Sequence, residues 1–304
     1  MQTTLARPLT LRGAGLHFGQ PATVTVCPAP AGQGIVFERV DLGRARIPAL
    51  WDRVEQSPLM TRIVGEGGAS VATIEHLMAA LAGCGIHDAT VRIDAPEVPI
   101  LDGSAAPFVA AIRDAGVIRR PGALTVWRVL RPVEVTRGDA SARLEPADCA
   151  AIDFEIDFPD AAIGRQSKRL VLGRDTFGRE LADARTFCRE ADILEMRAAG
   201  RALGGTYDNA VVVDGARVLS PGGWRRRDEA VRHKMLDALG DLALAGAPIL
   251  GRYTGVRAGH ALTNALLRKL FDTPGAVDLV ACPASLLSGL PHLSAPAAAV
   301  RAVA

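Results

Sequence analysis

The stretch EAVRHKMLDALGDL, residues Glu229–Leu242, carries more structural information than any other part of this 304-residue chain. It spaces His233, Asp237 and Asp241 four residues apart, and a helix places residues at that spacing on one face. The pattern therefore predicts an amphipathic helix over about Glu229–Ala245. The opposite side of this helix is apolar and carries Val231, Met235, Leu236, Leu239 and Leu242.

The polar stripe of this predicted helix has two interpretations. A His and an Asp one turn apart can hold one metal ion, because both donor atoms project to the same side. The same spacing is common in His–Asp pairs on exposed helices, and taken alone it favours that simpler interpretation. The whole stripe carries two acids and one base, His233, Asp237 and Asp241, so a bound cation would balance its charge.

A second His lies far upstream, directly after a carboxylate residue. Thr73 is predicted to cap a helix over about Ile74–Cys84, which places Glu75 and His76 in its first turn. Adjacent helix residues point about 100° apart. If His76 binds a metal, Glu75 is therefore directed beside the metal, where it suits a general base. A capped helix start with exposed polar side chains is the alternative.

His260 begins a predicted helix, about Gly259–Phe271, directly after a predicted strand, Ile249–Val256. Segments that follow strands often carry function. A His there could give a proton to a leaving group, with Asp241 holding its orientation and raising its pKa. A solvated ring at a helix start is the alternative.

Two further polar residues are candidates for substrate contacts. Lys234 adjoins a candidate ligand and could bind an anionic group, or it could be an ordinary surface lysine. Thr186 could hydrogen-bond a developing oxyanion, or it could be a turn residue. No role is assigned to the histidines without acid-rich neighbours, His17, His87 and His292.

The remaining chain alternates strand patterns with helix patterns, and Gly116–Gly122 is the best linker between two halves. Gly65–Gly68 and Asp214–Gly215 are hairpin turns, and Ser104 is expected to cap a helix over Ala105–Ala115. Two more helices are predicted over Arg174–Ala182 and Glu190–Ala199. The predicted strands are Ala22–Cys27, Gly34–Val40, Ala45–Leu50, Leu59–Val64, Ala69–Thr73, Ala89–Asp94, Leu124–Thr136, Ala150–Phe158, Ala210–Val213 and Ala216–Leu219.

This element order predicts an α+β protein with two related domains, since each half ends helix–strand–helix after a run of strands. Residues 1–120 form the first domain, which supplies Glu75 and His76, and residues 123–283 form the second. Residues 284–304 are rich in Ala, Pro and Leu and are expected to be a loosely ordered tail. Ligands from both domains would place a metal site in the cleft between them.

Composition limits the classes of function. The formal net charge is +2, which gives no case for a nucleic-acid partner. The five cysteines form no CxxC pair, so we expect reduced thiols in a cytoplasmic protein. We expect no signal peptide, and no apolar run approaches the roughly 20 residues that a membrane span needs. The glycine-rich segments match neither a Walker A loop nor a Rossmann fingerprint.

Six segments resemble, in the same order, motifs of the UDP-3-O-acyl-N-acetylglucosamine deacetylase family, the zinc amidases of lipid A synthesis. The resemblance covers about Leu11 to Phe271, and the EH, HKxxD and GH segments together are highly specific. It implies two related α+β domains packed as a β-α-α-β sandwich, with the active site between them. The segments are TIEHLMAALAGCGIHDA (Thr73–Ala89), APEVPILDGSAAPFV (Ala95–Val109), ARTF (Ala184–Phe187), LGGTYDNAVVVD (Leu203–Asp214), DEAVRHKMLDALGDL (Asp228–Leu242) and AGHALTNALL (Ala258–Leu267).

The resemblance implies hydrolysis of the 2-acetamido group of UDP-3-O-(3-hydroxyacyl)-N-acetylglucosamine, which releases acetate in the committed step of lipid A biosynthesis. It implies one Zn²⁺ per chain bound by His76, His233 and Asp237, and Fe²⁺ could occupy the same ligands. The expected partner is the UDP-linked acylated glucosamine. We expect a cytoplasmic monomer that has no transmembrane segment.

The matching positions also imply catalytic and substrate-binding roles. Glu75 would activate the attacking water, and Thr186 would stabilise the oxyanion. His260 would protonate the departing amine, oriented by Asp241. An insert over about Phe187–Val213 would form a hydrophobic passage for the acyl chain. The implied substrate-binding residues are Lys234, Phe187, Asp192, Gly205 and Arg257.

The chain departs from the family pattern inside this insert. Where the family often reads RTFGF, the chain reads RTFCRE, with Cys188, Arg189 and Glu190. Charged residues at usually apolar positions indicate a different acyl-chain preference or a differently placed mouth. Arg257 stands where Lys is frequent, which keeps the charge but changes the hydrogen-bond geometry.

Two other classes of function remain open from the residues. An acyl-carrier dehydratase accompanies the deacetylase module in some fused chains, but 304 residues are too few for both. A non-catalytic binding module would use the polar stripe as a subunit contact. The amidase needs about one zinc per chain and neither alternative does, so metal content separates the three classes.

Overall fold

The structure, a computed structural model, describes residues 1–57 and 59–293. The helices within these residues are present wherever the apolar periodicity predicts one, although α3 is shorter than its predicted span. None of them combines the length and the apolar character needed to cross a membrane. They are α1 (Glu75–Gly83), α2 (Ala106–Ala115), α3 (Thr176–Glu180), α4 (Glu190–Ala198), α5 (Glu229–Leu242) and α6 (His260–Asp272).

The strands are short and fall equally in the two halves of the chain. Those of the first half are β1 (Gln2–Leu5), β2 (Leu9–Ala14), β3 (Pro21–Pro28), β4 (Ile35–Arg39), β5 (Ala45–Pro48), β6 (Val54–Glu55), β7 (Arg62–Val64), β8 (Ser70–Val71), β9 (Ala89–Ile93) and β10 (Val117–Arg120). Those of the second half are β11 (Thr125–Val129), β12 (Val133–Arg137), β13 (Ala140–Glu145), β14 (Ala150–Asp157), β15 (Arg165–Val171), β16 (Phe187–Arg189), β17 (Val211–Asp214), β18 (Arg217–Val218), β19 (Ile249–Val256) and β20 (Val277–Ala281).

The main sheet of the first half has the order β2-β3-β9-β4-β5. Its neighbours are antiparallel except for β4 and β9, which run parallel with Ile35 opposite Ala89. Alternate residues of β3, including Val24 and Val26, are buried, as a sheet with one covered face requires. The predicted hairpin over Gly65–Gly68 is confirmed, because β7 and β8 pair antiparallel across it.

The main sheet of the second half has seven strands arranged around β19. β19 pairs antiparallel with β13 and parallel with β14 and β11. β12, β15 and β20 add to these neighbours. The strands β16, β17 and β18 form a separate small sheet, in which the predicted turn at Asp214–Gly215 is confirmed.

The helices pack between the two main sheets. α2 contacts β2 of the first sheet, while α5 and α6 contact strands of the second. α1 packs against α5, which joins the two halves through one continuous apolar core. The order of layers is therefore sheet, helices, helices, sheet, and the predicted α+β class is confirmed. The boundaries 1–120 and 123–283 stay a prediction.

Three local predictions are wrong in detail. Leu124–Thr136 is two strands, since the chain turns at Arg131-Pro132 and its backbone bonds to Ala276 there. The proposed linker Gly116–Gly122 contains β10, which pairs with β1. Ser104 is not the residue at the α2 N-cap, although its Oγ accepts a bond from the Ala106 amide at 3.2 Å.

The segment after residue 283 is ordered in its described part. Ala284–Gly289 forms a 3-10 helix, and Leu290 is buried against a small cluster with Leu124, Val126 and Leu250. These contacts attach the segment to β11 and β19 of the second sheet. The remainder of the predicted tail, residues 294–304, lies outside the described residues.

Candidate metal centre and substrate cavity

α1 and α5 cross closely enough to bring their polar residues together. A Cβ added to Gly240 of α5 would lie 2.1 Å from the carbonyl oxygen of Glu75. Two nonbonded atoms cannot approach each other so closely, so only glycine fits at the crossing. The polar stripe of α5 faces the first turn of α1, and His233, Asp237 and Asp241 are buried. The exposed-helix interpretation of this stripe is therefore wrong.

His76, His233 and Asp237 converge on one point between the helices. One ligand atom from each lies within 4.8 Å of the others. Asp237 Oδ1 is 3.3 Å from His233 Nε2 and 3.6 Å from His76 Nε2. The two imidazole rings are nearly perpendicular, with centroids 5.0 Å apart. Two imidazole nitrogens and a carboxylate oxygen are a ligand set typical of divalent transition metals.

The hydrogen bonds around this triad leave its inward atoms available to a cation. His233 Nδ1 lies 3.0 Å from the carbonyl oxygen of Ala184, which directs the lone pair of Nε2 into the cluster. Lys234 Nζ donates to Asp237 Oδ2 at 2.6 Å. Asp237 Oδ1 is buried and has no hydrogen-bond partner among the described residues. Since an unpartnered buried carboxylate oxygen is costly, the residues present fit a divalent metal.

The charges of these groups are compatible with metal binding. Burial lowers the pKa of His233 to about 3, so its ring is neutral near pH 7 and can act as a ligand. Burial opposes ionisation of Asp237, but the neighbouring His233 and the Lys234 ammonium hold the pKa of Asp237 well below its usual range. Burial also opposes the charge of Lys234, and Asp237 more than offsets it, so the pKa of Lys234 is raised.

Glu75 lies beside the triad without belonging to it. Its Oε2 accepts a hydrogen bond from the Thr61 amide at 3.0 Å. Its Oε1 is 3.7 Å from His260 Nε2. Burial raises the pKa of Glu75, and the neighbouring histidines His260 and His76 only partly offset this effect. A carboxylate with a raised pKa is suited to accept a proton from water near neutral pH.

His260 is held by Asp241 and faces the same cluster. Its Nδ1 lies 2.8 Å from Asp241 Oδ2, and its Nε2 is 4.0 Å from Asp237 Oδ2. Burial alone would lower the pKa of His260, but the charges of Asp241 and Glu75 raise it to about 9. The ring is buried and protonated near pH 7, so the solvated-ring alternative is wrong.

A cavity of about 840 Å³ opens over this cluster, a volume typical of small-molecule sites. The metal-ligand candidates, Glu75 and His260 form one wall, and the insert over residues 187–213 forms another. The ring of Phe187 meets the ring of His233 with centroids 6.2 Å apart. The predicted substrate residues that line the cavity are Thr186, Phe187, Asp192, Gly205 and Lys234.

The insert wall contains the charged residues that depart from the family pattern. Arg189 lines the cavity, donates to Asp160 at 2.6 Å and lies 3.6 Å from Asp192. Cys188 also lines it, and burial raises the pKa of its thiol to about 11. Glu190 is exposed and outside the lining. One of the two unexpected charges therefore reaches the cavity.

Arg257 is the predicted substrate residue that the structure places elsewhere. It does not belong to the described residues that line the cavity. Its guanidinium pairs with Asp157 at 2.5 Å, at the end of β14, and with Asp139 at 3.3 Å, directly before β13. Its φ of +49° turns the chain between β19 and α6, which aims His260 inward.

The start of α1 is fixed by a carboxylate that the motif analysis did not single out. Thr73 is not the N-cap as predicted: the cap is Ile74, without a side-chain bond, and Thr73 has a φ of +54°. The Thr73 hydroxyl donates to Glu97 Oε1 at 2.7 Å. Glu97 also accepts bonds from the amides of His17 and Phe18, both at 2.8 Å.

Two residues around the site have no local sequence signal. His17 is buried and lines the cavity, and burial lowers its pKa. Its carboxylate contact, Glu97, is 80 positions away. Thr61 bonds to Glu75 and Asp241, which are 14 and 180 positions away. Contacts at such separations cannot be read from spacing.

Comparison with known proteins places the chain in a family. The model of the LpxC family, described as UDP-3-O-acyl N-acetylglycosamine deacetylase, matches residues 2–272. A relative named UDP-3-O-acyl-N-acetylglucosamine deacetylase, from Anaeromyxobacter sp. (strain Fw109-5), is 49% identical over 279 residues, covering 92% of this chain and 91% of the relative.

Two further relatives carry the same name. The one from Myxococcus xanthus (strain DK1622) is 44% identical over 290 residues, covering 95% of this chain and 92% of the relative. The one from Shewanella frigidimarina (strain NCIMB 400) is 43% identical over 282 residues, covering 92% of both chains. The resemblance of the six sequence segments is thereby confirmed, and the chain belongs to the UDP-3-O-acyl-N-acetylglucosamine deacetylase family.

Proposed function

We propose that this chain is a metal-dependent deacetylase of lipid A biosynthesis. It hydrolyses the 2-acetamido group of UDP-3-O-(3-hydroxyacyl)-N-acetylglucosamine and yields the free amine and acetate. Family membership and the names of the relatives support this substrate. The observation that carries the proposal is the convergence of His76, His233 and Asp237 at the wall of a large cavity. Glu75 lies beside these three residues but is not one of the candidate ligands.

Zn²⁺ is the proposed metal, one per chain, and Fe²⁺ could occupy the same ligands. His76, His233 and Asp237 would hold it. When bound, such a cation supplies Lewis-acid polarisation of the acetamide carbonyl and lowers the pKa of water. The neutral ring of His233 and the unpartnered Oδ1 of Asp237 support this assignment.

Glu75 acts as the general base. As the water oxygen attacks the acetamide carbon, Glu75 takes one of its protons, and the carbonyl becomes a tetrahedral oxyanion. The Thr61 amide holds Oε2 and leaves Oε1 facing the cavity. Thr186 lines the same cavity and donates its hydroxyl to the oxyanion.

His260 acts as the general acid. Collapse of the tetrahedral species breaks the C–N bond, and the departing nitrogen takes a proton from His260 Nε2. Asp241 holds the other ring nitrogen at 2.8 Å, which fixes the orientation of the imidazole. The pKa of about 9 keeps the ring protonated at neutral pH, so the proton is available when the bond breaks.

The remaining cavity residues would hold the substrate. Lys234 donates one hydrogen bond to Asp237, and its remaining N–H groups could donate to a polar group of the sugar nucleotide. We place the acyl chain along the insert, beside Phe187, Asp192 and Gly205. We also propose that the protein is cytoplasmic, which its five free thiols support. We propose that it is a monomer, which sedimentation analysis would test.

The test of this function joins metal content with turnover. The purified chain is expected to hold about one zinc and to release acetate from the UDP-linked substrate, with activity lost to a hydroxamate chelator. Glu75→Ala is expected to keep the metal and lose about 10²- to 10⁴-fold in kcat, the usual contribution of a general base. Glu66→Ala, an exposed carboxylate variant on the β7–β8 hairpin, is the control.

Three results would contradict the proposal or part of it. A wild-type chain without metal or acetate release would contradict the function and leave a binding module as the alternative. If Glu75→Ala lost zinc to the same extent as it lost activity, Glu75 would not be assigned as the base. Activity that Fe²⁺ supports and zinc alone does not would contradict the assignment of Zn²⁺. The dehydratase alternative is not proposed, because the deacetylase family match covers residues 2–272.

A further inference from the structure

We propose that Thr61 is a positioning residue that holds Glu75 and Asp241 in a fixed relation across the boundary between the two halves. This inference rests on the proposed function, since it concerns the base and the partner of the acid. Thr61 lies just before β7 in the first half, whereas Asp241 lies in α5 of the second. Thr61 is not among the described residues that line the cavity, so it acts through its neighbours.

Every polar group of Thr61 has a partner. Its amide donates to Glu75 Oε2 at 3.0 Å, and its hydroxyl donates to Asp241 Oδ1 at 2.5 Å. Its carbonyl oxygen accepts a bond from the Ile74 amide at 3.3 Å, one residue before α1. The residue is 3% exposed, so these bonds are shielded from water.

In each carboxylate, one oxygen bonds to Thr61 and the other faces or bonds to His260. Glu75 gives Oε2 to Thr61 and keeps Oε1 on the side of His260. Asp241 gives Oδ1 to Thr61 and Oδ2 to His260 Nδ1. A carboxylate bonded through both oxygens cannot rotate freely, so the Thr61 hydroxyl sets the plane of Asp241 and thereby the orientation of the His260 ring.

The backbone of Thr61 is fixed independently of α5. The next residues form β7, whose Ile63 pairs with Val71 of β8 in the hairpin of the first half. The hydroxyl of Thr61 is therefore a fixed point from which the first half orients a carboxylate of the second. An ordinary structural threonine would affect stability, whereas this arrangement predicts an effect on turnover.

The test compares three variants at Thr61 with the metal-loaded wild type. Thr61→Val keeps the shape and removes the donor to Asp241. It is expected to lower kcat by about 10- to 100-fold, the range typical of groups that orient catalytic side chains, with KM within about twofold. Thr61→Ser keeps the hydroxyl and is expected to stay within about threefold of wild type. Thr61→Cys, a weak donor, is expected to lie between them.

Thr4 offers a matched control. It is fully buried in β1, and its hydroxyl donates to the Asp88 carbonyl at 2.7 Å, away from the cavity. Thr4→Val is expected to lower stability without a selective loss of kcat. A Thr61→Val enzyme with kcat within twofold of wild type would overturn the proposal. So would equal losses in Thr61→Val and Thr61→Ser. If Thr61→Val does not fold, a wild-type kcat in Thr61→Cys would overturn it.

A second measurement does not depend on turnover. The imidazole Nδ1 proton of His260, assigned by its loss in His260→Ala, is followed by NMR in ¹⁵N-histidine-labelled protein. Its signal is expected to shift or broaden in Thr61→Val and to stay in place in Thr61→Ser. An unchanged signal in Thr61→Val would overturn the proposal even where acetate release is absent. Absent release in wild type with the expected NMR pattern would instead contradict the proposed function alone.

Discussion

α5 and α4 both contribute to the walls of the cavity, but they are built in opposite ways. Every residue of α5 except Lys234 is buried, and the helix is surrounded by α1, α6 and the second sheet. No residue of α4 is buried, and Leu194 is 79% exposed. The proposed metal ligands His233 and Asp237 and the orienting residue Asp241 therefore stand on a helix packed between other elements, while the acyl chain is proposed to meet a helix at the surface.

This difference separates two kinds of mutational effect. A change in α5 disturbs atoms that have fixed partners within 2.5 to 4 Å, so it should decide whether the reaction proceeds at all. A change on the cavity side of α4 alters a surface proposed to contact the acyl chain, so it should decide which substrate is preferred. The following predictions test this contrast, starting with the largest effect.

Loss of a ligand from α5 should abolish function. His233→Ala removes one of three converging donor atoms, so the protein is expected to lose its metal. Turnover should fall by at least about 10³-fold, because metal assistance contributes several kcal/mol to such reactions. Metal analysis and acetate release measure both effects. His292→Ala, outside the cavity, is the control, and full metal occupancy in His233→Ala would remove this residue from the ligand set.

Neutralising Asp241 should change both rate and pH dependence. Asp241→Asn is expected to lower kcat by about 10²- to 10⁴-fold, because the orienting carboxylate of His260 is lost. Activity needs protonated His260, so it declines as pH rises through the His260 pKa of about 9. Without the charge of Asp241 that pKa falls, and the alkaline limb of the rate profile should move to lower pH. An unmoved limb would refute the assignment of His260 as the acid.

The close crossing of α1 and α5 should tolerate no side chain. Gly240→Ala places a Cβ against the Glu75 backbone and is expected to destabilise the fold by about 1–3 kcal/mol, despite the better helix propensity of Ala. Urea unfolding measures the change. Gly259→Ala is the matched control, since a Cβ there meets nothing within 4 Å and its φ is −142°. Equal stability of the two variants would show that the crossing is looser than described.

Changes in α4 should be small and selective. Ile193 is half-buried and lines the cavity, so Ile193→Ala is expected to raise KM for long acyl chains by roughly 3- to 10-fold, about the value of one or two buried methylene groups. kcat should be unchanged. Leu194→Ala, one position further and exposed, should alter neither constant. A fall in kcat with every acyl chain would contradict the contrast between the two helices.

The elements with strong local patterns could be predicted from the sequence. α5 ends at Leu242 and continues as a 3-10 turn to Ala245, as its apolar periodicity indicates. β15 was missed because it reads RQSKRLV, a polar edge strand without an apolar alternation. β13 was missed as well, although it pairs with the preceding strand β12 across Gly138-Asp139, whereas its pairing with the remote β19 has no local signal.

The site divides in the same way. His233 and Asp237 could be found because one helical turn separates them, and Glu75 and His76 because family motifs preserve their order. The arrangement around them could not be predicted. Glu97 and Thr61 act through bonds to residues remote in sequence, and Arg257 is drawn away by ion pairs with two aspartates.

One ligand of the proposed centre belongs to α1 and two belong to α5, so an ion held there would also fasten the two halves to each other. By thermodynamic linkage, its binding free energy adds to the free energy of unfolding in proportion to RT ln(1 + [metal]/Kd). Chelation should then lower the melting temperature of the protein. By the same coupling, a substitution that weakens the contact between the two halves away from the centre should also weaken metal affinity. The proposed metal centre would therefore stabilise the fold as well as serve catalysis.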